Sequence, residues 1–255
     1  MFAALTHPPA VFALLFVAAF WAGAQNALAG GGSFITLPSL MVSGLDARTA
    51  NITSTIALFP GQVTTGLVGR ENVGGAGGLS FRALFVISLI GGAFGACLLL
   101  ATPPAFFARL VPYLVLFATG VFAWGSFIRR PHEASKPAGR IPTGLMQFGI
   151  SIYGGYFGGG IGFLMLAALT IAGLAVRKAG ATKNVLASVM NASAVAIFVF
   201  TTRLDWLRVG VVAVGAVAGG YLGGIMLKRV NETVLRVIVV IIGACLTVGL
   251  FLKAR

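Results

Sequence analysis

Two glycine triplets are the feature of this sequence best suited to binding an ion. Gly30–Gly32 comes directly before Ser33, and Gly158–Gly160 comes directly before Ile161. Glycine allows a sharp chain reversal, and a helix that starts after it presents unpaired N–H groups and the positive end of its dipole. The triplets therefore predict a site for a small anion, formed by Gly31, Gly32, Ser33, Gly159, Gly160 and Ile161. Close helix packing at the glycines would explain the same pattern without a site.

Polar side chains at helical spacing follow each triplet. They are Asn51, Thr55, Gln62 and Thr65 in the first half of the chain, and Asn184, Ser188 and Asn191 in the second. Amides and hydroxyls within hydrocarbon need hydrogen-bond partners, so both stripes should face the protein interior. There they either line a path for an oxyanion, to which they can donate, or join helices by hydrogen bonds. Gln25 and Asn26, just before the first triplet, belong to the same polar neighbourhood.

Lys183 is the charged residue of most interest, because it precedes Asn184 at the start of a predicted span. Its ammonium group either attracts an anionic substrate or extends back to the membrane interface. No acidic residue lies inside a predicted span, so the sequence shows no carboxylate relay for protons. It also offers no pair of neighbouring histidines, no catalytic carboxylate pair and no Cys–His arrangement. We therefore predict no catalytic residue, no metal site and no cofactor.

The composition indicates a membrane protein. Only 9% of the 255 residues are charged and 58% are hydrophobic, and the mean hydropathy is +0.99. A soluble domain carries about 25% charged residues, so a soluble enzyme and a disordered chain are both excluded. Several uncharged runs reach the roughly 20 residues that cross a bilayer. The fold class predicted is an all-α polytopic membrane protein. The net charge of +13 then reflects loops that set topology and meet anionic lipid, rather than binding of nucleic acid.

An internal repeat divides the chain. Both the triplets and the later pattern Gly91-Gly92-x-x-Gly95, which returns as Gly219-Gly220-x-x-Gly223, recur at a spacing of 128 residues. This predicts an N-terminal transmembrane repeat over 1–127, a cytoplasmic linker over 128–141 and a C-terminal transmembrane repeat over 142–255. The predicted segments are 10–29, 33–44, 48–69, 82–101 and 108–127, then 142–157, 161–173, 182–201, 207–227 and 233–252. The second segment of each half spans about 18 Å, short of the roughly 30 Å hydrocarbon core.

The basic residues predict the topology. If all ten segments cross, 12 lysines and arginines lie on one side and 6 on the other. If the short segments turn back instead, the split is 10 to 8. The first arrangement fits the positive-inside rule better and places both termini outside. Five segments per half then make the two repeats inverted, as in many secondary transporters.

The sequence resembles the sulfite exporter TauE/SafE family of membrane permeases. The resemblance rests on GGGSFITLPSL with Pro38, on its second copy YGGYFGGGIGFLMLAAL, and on AGATKNVLASVMNASA. It covers essentially the whole chain and implies movement of sulfite, sulfoacetate or other organosulfonates across the bacterial inner membrane. The first half departs from the second in having Ala50, rather than a lysine, before its asparagine.

We therefore expect a secondary transporter that exports a small sulfur-containing anion by alternating access, with the anion and the lipid bilayer as its partners. A gated anion channel that uses the same helix ends is the alternative. A membrane-embedded enzyme or assembly factor is disfavoured for want of catalytic residues. The sequence leaves open whether two copies form a homodimer.

Overall fold

The fold is a bundle of helices. The computed structural model describes residues 8–28, 31–67, 70–124, 138–226 and 232–253. Gly30 and residues 128–137 of the predicted linker lie outside the described residues. Within the described ranges ten α-helices follow one another: α1 (Pro8–Leu28), α2 (Ser33–Val42), α3 (Ala47–Leu67), α4 (Phe81–Ala101), α5 (Pro104–Ala123), α6 (Arg140–Tyr156), α7 (Ile161–Ile171), α8 (Val176–Thr201), α9 (Trp206–Met226) and α10 (Glu232–Lys253).

Most helix bounds agree with the predicted segments to within a few residues. The first residue of α8 is the main difference, because α8 begins at Val176 whereas the predicted segment begins at 182. Arg177, Lys178 and Lys183 interrupt the hydropathy of this stretch, but lysine and arginine are good helix formers. Lys183 therefore lies two turns inside α8 rather than at its start.

The prediction of an all-α polytopic membrane protein is confirmed. Four of the described helices are long and apolar enough to cross a bilayer: Pro9–Asn26 within α1, and α4, α5 and α8. Ser33–Val42 and Ile161–Ile171 are shorter apolar helices, as expected for the segment that follows each glycine triplet. Large apolar side chains such as Phe94 and Phe200 are exposed on the outside of the bundle, where lipid would cover them.

The two halves pack in a corresponding way. Helix α1 packs against α9 and α6 packs against α4, while α3 packs against α8 and α5 against α10. Each short helix lies against the helices on either side of it, α2 against α1 and α3, and α7 against α6 and α8. This is the pattern that a duplicated chain would give. The opposite orientation of the halves across the membrane, and the division at 128–141, stay predictions.

The second glycine pattern, Gly91-Gly92-x-x-Gly95, serves helix packing. The hydrogens of Gly91, Gly92 and Gly95 in α4 face α6 and α8 so closely that an added methyl group would meet Ser151, Met190 and Ile152. At the repeat position Gly219 faces the backbone of Phe20 in α1. On the α6 side, Gly155 faces the backbone of Gly92. Small residues let these helices approach closely, which is how membrane helices gain contact energy without a hydrophobic driving force.

One stability prediction follows from this crossing. Gly155→Ala places a methyl group on the Gly92 carbonyl, and we expect it to destabilise the protein by about 1–3 kcal/mol. Gly149→Ala is the matched control, since Gly149 lies in the same helix with nothing within 4 Å of the added carbon. The control should be neutral or slightly stabilising, because alanine is the better helix former. Thermal melting of the purified variants measures both, and equal melting temperatures would contradict the close crossing.

Candidate functional site

The second glycine turn connects α6 to α7 in a conformation that requires glycine. Gly158 has φ 79° and Gly160 has φ 74°, in the left-handed region that strains other residues. Gly160 is the residue before the first turn of α7, and its carbonyl accepts a hydrogen bond from the Phe163 N–H at 3.1 Å. Among the described residues no acceptor is found for the N–H groups of Ile161 and Gly162. The first turn of α7 thus presents the unpaired donors that the sequence predicted.

Lys183 reaches this end of α7. A carbon added at Gly162 would lie 3.7 Å from the Lys183 Nζ and 3.9 Å from its Cδ. Within the part of the chain that the structure describes, the ammonium group makes neither an ion pair nor a hydrogen bond. The residue is partly buried, and its nitrogen is not among the fully enclosed unpartnered polar atoms. The cation therefore lies beside the positive end of a helix, which is an arrangement suited to an anion.

The alternative interpretation of Lys183, extension to the nearest membrane interface, stays a prediction, but the structure places its side chain beside α7. Helices α7 and α8 pack together and are joined by a short turn at 172–175, next to the exposed Arg177 and Lys178. At about 1.5 Å per residue, Gly162 lies about 14 Å from the end of α7, and Lys183 about 10 Å from the start of α8. Because its Nζ lies beside Gly162, the side chain extends away from the turn, toward the middle of the bundle.

The first glycine turn has different surroundings. The structure brings Gln25, Asn26, Gly31, Gly32 and Ser33 together there, as predicted, but the polar side chains hydrogen-bond to the turn itself. Gln25 donates from Nε2 to the Gly31 carbonyl at 3.4 Å, and the Asn26 Oδ1 accepts the Gly32 N–H at 3.5 Å. The Gly32 N–H, which could otherwise donate to an anion, is thus already hydrogen-bonded to Asn26. The fully buried Ala50 stands where the second half has Lys183, so the first half has no lysine at the matching position.

The backbone at the first turn differs as well. The positive φ falls on Gly31, at 83°, while Gly32 has the helical value of −53°. A carbon added at Gly32 would lie 2.7 Å from the Ala22 carbonyl oxygen. The backbone that comes close to Gly32 is therefore that of α1, and substitution there would disturb helix packing before it tested any ligand.

The polar stripe of α3 reaches the second glycine turn. Asn51, 2% exposed, donates from Nδ2 to the Tyr156 carbonyl at 3.2 Å, which satisfies one of the unpaired carbonyls at the end of α6. The Thr55 Oγ1 donates to the Asn51 carbonyl at 2.9 Å. The same hydroxyl oxygen lies 3.9 Å from the position of a carbon added at Gly158. Asn51 and Thr55 thus contact the turn at which Lys183 also arrives.

The stripe of α8 faces α3 further along. The Ser188 Oγ donates to the Gln62 carbonyl at 2.8 Å and also lies 2.9 Å from the Asn184 carbonyl. Asn191 is buried and donates from Nδ2 to the Gln62 Oε1, while its own Oδ1 has no partner among the described residues. Both stripes therefore face the interior. Hydrogen bonding between helices accounts for Ser188 and Asn191, whereas the side chain of Asn184 makes no hydrogen bond within the described residues.

Two residues of this neighbourhood were not predicted from the sequence. Gly162 was missed as the neighbour of Lys183, although the pattern Gly-Gly-Gly-Ile-Gly signals a second small residue at the helix start. Tyr156 was missed because an aromatic residue in an apolar run carries no signal of its own. Its hydroxyl donates to the Thr102 Oγ1 at 3.4 Å, and its ring packs against Phe107 at 5.6 Å. Among the described residues no group of three His, Cys, Asp or Glu could hold a metal ion.

Comparison with known proteins gives the family. A profile described as "Sulfite exporter TauE/SafE" matches residues 15–250. The chain belongs to this family. The matched region runs from within α1 to within α10 and includes both glycine turns and Lys183. Membership of the TauE/SafE family makes the chain a membrane transporter, and not an enzyme. It also implies a small anionic substrate and a multi-pass position in the lipid bilayer.

Named relatives agree with this assignment. The chain is 28% identical over 245 residues to a "Probable membrane transporter protein" of Haemophilus influenzae, covering 93% of both chains. It is 26% identical over 251 residues to "Probable membrane transporter protein YfcA" of Escherichia coli K12, covering 95% of this chain and 90% of the relative. A third, "Probable membrane transporter protein ORF9" of Sinorhizobium sp, is 28% identical over 244 residues, covering 94% and 92%. No solved structure matches the chain.

Proposed function

We propose that this TauE/SafE protein is a secondary transporter that exports a small sulfur-containing anion across the bacterial inner membrane by alternating access. Sulfite, sulfoacetate and other organosulfonates are the substrate class. One observation carries the proposal: the ammonium group of Lys183, which has no partner among the described residues, lies at the N-terminal turn of α7, beside Gly162. The family contributes the class of anion, and the geometry contributes where it would bind.

The chemistry of the site suits an oxyanion. The N–H groups of Ile161 and Gly162 and the dipole of α7 favour negative charge at the place that Lys183 approaches. A lone ammonium group within a membrane span is costly, and an anion beside it would offset that cost. Asn184 follows Lys183 in α8, and its side-chain amide, which makes no hydrogen bond within the described residues, would supply a neutral donor. A sulfonate has three oxygens, which allows it to accept from the backbone, the lysine and a side-chain donor at once.

The asymmetry of the two turns supports one principal binding site per chain. Lys183 and free N–H groups meet at the second turn, while Asn26 and Gln25 fill the corresponding positions at the first. In this proposal Gly159, Gly160, Ile161, Asn51, Thr55, Lys183 and Asn184 bind the substrate directly or line its path. Gly31, Gly32, Ser33, Gln25 and Asn26 then form the matching turn around which α2 moves, and Ser188 and Asn191 hold α3 against α8.

Alternating access is supported by the short helices. Both α2 and α7 begin at a glycine turn inside the bundle, and irregular backbone at such depth is tolerated only where protein or a watery cavity surrounds it. Broken helices at corresponding positions of two repeats are typical of secondary transporters. A gated anion channel with the same site remains the second candidate, since the helix-end geometry would serve permeation equally well.

A flux assay tests the substrate class and separates the two candidates. Proteoliposomes that contain the full chain should accumulate labelled sulfite or sulfoacetate against unlabelled anion inside, with saturation and counterflow. Sulfate and thiosulfate serve as related oxyanions, and taurine as a sulfonate with a compensating positive charge. Absence of flux with every sulfur oxyanion would overturn the proposal, and single-channel currents without counterflow would replace the transporter with the channel.

A further inference from the structure

A cavity lined by two arginines lies at the start of α3 and the end of α8, away from Lys183. Its volume is about 430 Å³, and its lining includes Arg48, Thr49, Leu100, Thr201 and Arg203. Cavities of about 300–1,000 Å³ are the usual size of small-molecule sites, so a small oxyanion with some water fits. Thr201 is the eighteenth residue after Lys183 in α8, about 27 Å away along the helix. The cavity is therefore distinct from the Lys183 site.

The two arginines of the cavity are held differently. Arg48 donates from Nη1 to the Leu100 and Thr102 carbonyls at 3.3 and 3.0 Å, so its guanidinium is fixed against the end of α4. Arg203 is exposed and has no ion pair or hydrogen bond within the described residues. One guanidinium is thus positioned by the fold and the other is free to meet a ligand.

The nearest carboxylates are committed to other partners. The Asp46 Oδ1 accepts the N–H groups of Arg48 and Thr49 at 3.0 and 3.1 Å, at the start of α3. Burial raises the pKa of the Asp46 carboxyl, but the hydrogen bonds from Thr49 and the backbone outweigh it and hold the pKa below its usual value. Asp205 is paired with Arg208 at 2.8 Å. No acidic residue is among the described residues that line the cavity, so its potential is positive.

Tyr156 connects the residues around this cavity to the glycine turn. The Thr102 carbonyl accepts a hydrogen bond from Arg48 Nη1. The Thr102 Oγ1 accepts one from the Tyr156 hydroxyl. The Tyr156 carbonyl is in turn bound by Asn51, and its backbone leads into Gly158–Gly160. The wall of the cavity is therefore linked by consecutive hydrogen bonds to the turn where α7 begins.

We propose that the cavity around Arg48 and Arg203 is a vestibule that binds the transported oxyanion on the far side of Tyr156 from Lys183. This inference rests on the proposed function and adds a second anion-binding site along the substrate path. Arg203 captures the anion by charge, Arg48 adds a second positive charge that the fold holds in place, and Tyr156 separates the anion from the inner site. The vestibule opens at the end of the bundle opposite the turn with Arg177 and Lys178.

Cysteine modification measures the potential of the vestibule directly. The probe is Thr201→Cys in full-length protein with Cys97→Ala and Cys245→Ala, modified by anionic sulfonatoethyl or cationic trimethylammonioethyl methanethiosulfonate. The anionic reagent should react faster, relative to its rate with a free thiol. Arg203→Gln should lower this preference about fivefold, as expected for loss of one nearby charge in a partly aqueous site. Arg109→Gln is the control, since Arg109 is exposed near the start of α5 and does not line the cavity.

Protection by substrate completes the test. Sulfoacetate, which does not react with these reagents, should slow modification of Thr201→Cys, and should do so in Lys183→Gln as well. An unchanged preference in Arg203→Gln, or no protection at saturating sulfoacetate while the wild-type protein transports it, would overturn the vestibule alone. Protection without any transport by the wild-type protein would leave the vestibule standing and remove the proposed function.

Discussion

Lys183→Gln is expected to lower sulfoacetate uptake into proteoliposomes at least about 100-fold. Removing one partner of a buried charge pair costs about 3–5 kcal/mol, and each 1.4 kcal/mol is about a tenfold change. Glutamine keeps most of the length of the side chain and its ability to donate, so the lost quantity is the charge. The loss should appear in the affinity for the anion, measured as a raised KM or as absent saturation.

Lys178→Gln is the matched control for this variant. Lys178 lies on the same helix, is exposed beside the α7–α8 turn and carries the same charge. Its replacement should leave uptake within about twofold of wild type, because solvent screens exposed charges. Comparable losses in the two variants would mean that Lys183 acts through general surface charge or topology and not through a binding site.

Gly162→Leu is expected to abolish uptake while the protein still folds and reaches the membrane. An added carbon at Gly162 meets only the Lys183 side chain within 4 Å, so a leucine would extend against the ammonium group and displace an anion bound there. Leucine is also a better helix former than glycine, which favours correct folding of α7. Detergent-solubilised protein should give a normal size-exclusion profile together with no measurable flux.

Gly120→Leu provides the comparison for steric bulk. Gly120 lies in α5 with nothing within 4 Å of an added carbon, and it is exposed on the outside of the bundle. Normal uptake is expected there. If Gly162→Leu also transports normally, the space at the start of α7 is not the binding site.

Most of the fold could be predicted from the sequence, because hydropathy and glycine placement act locally. The triplets marked the starts of α2 and α7 at Ser33 and Ile161, and helical spacing correctly turned Asn51 and Asn191 inward. The start of α8 was missed since a charge in a helix lowers hydropathy without lowering helix propensity. The position of a helix end is thus less accessible from hydropathy than the existence of the helix.

The glycine turns of the candidate site could be predicted from the sequence, but the contacts around each turn could not. Repetition of the triplet suggested two equivalent anion-binding ends, but the two turns differ both in backbone conformation and in the side chains around them. Whether Asn26 folds back on Gly32 depends on how α1 meets α2, and the direction of the Lys183 side chain depends on the pairing of α7 with α8. Both are tertiary contacts, so spacing along the chain could not reveal them. Ala50 in place of a lysine was the one local sign of the asymmetry.

Titration of purified wild-type protein with sulfoacetate tests the central claim most directly. Calorimetry should give one anion bound tightly per chain, with a weaker second event at most, and the tight event should disappear in Lys183→Gln and remain in Lys178→Gln. This is the result expected if the anion binds where Lys183 meets the start of α7. Two equal tight sites per chain, or unchanged tight binding in Lys183→Gln, would contradict the account.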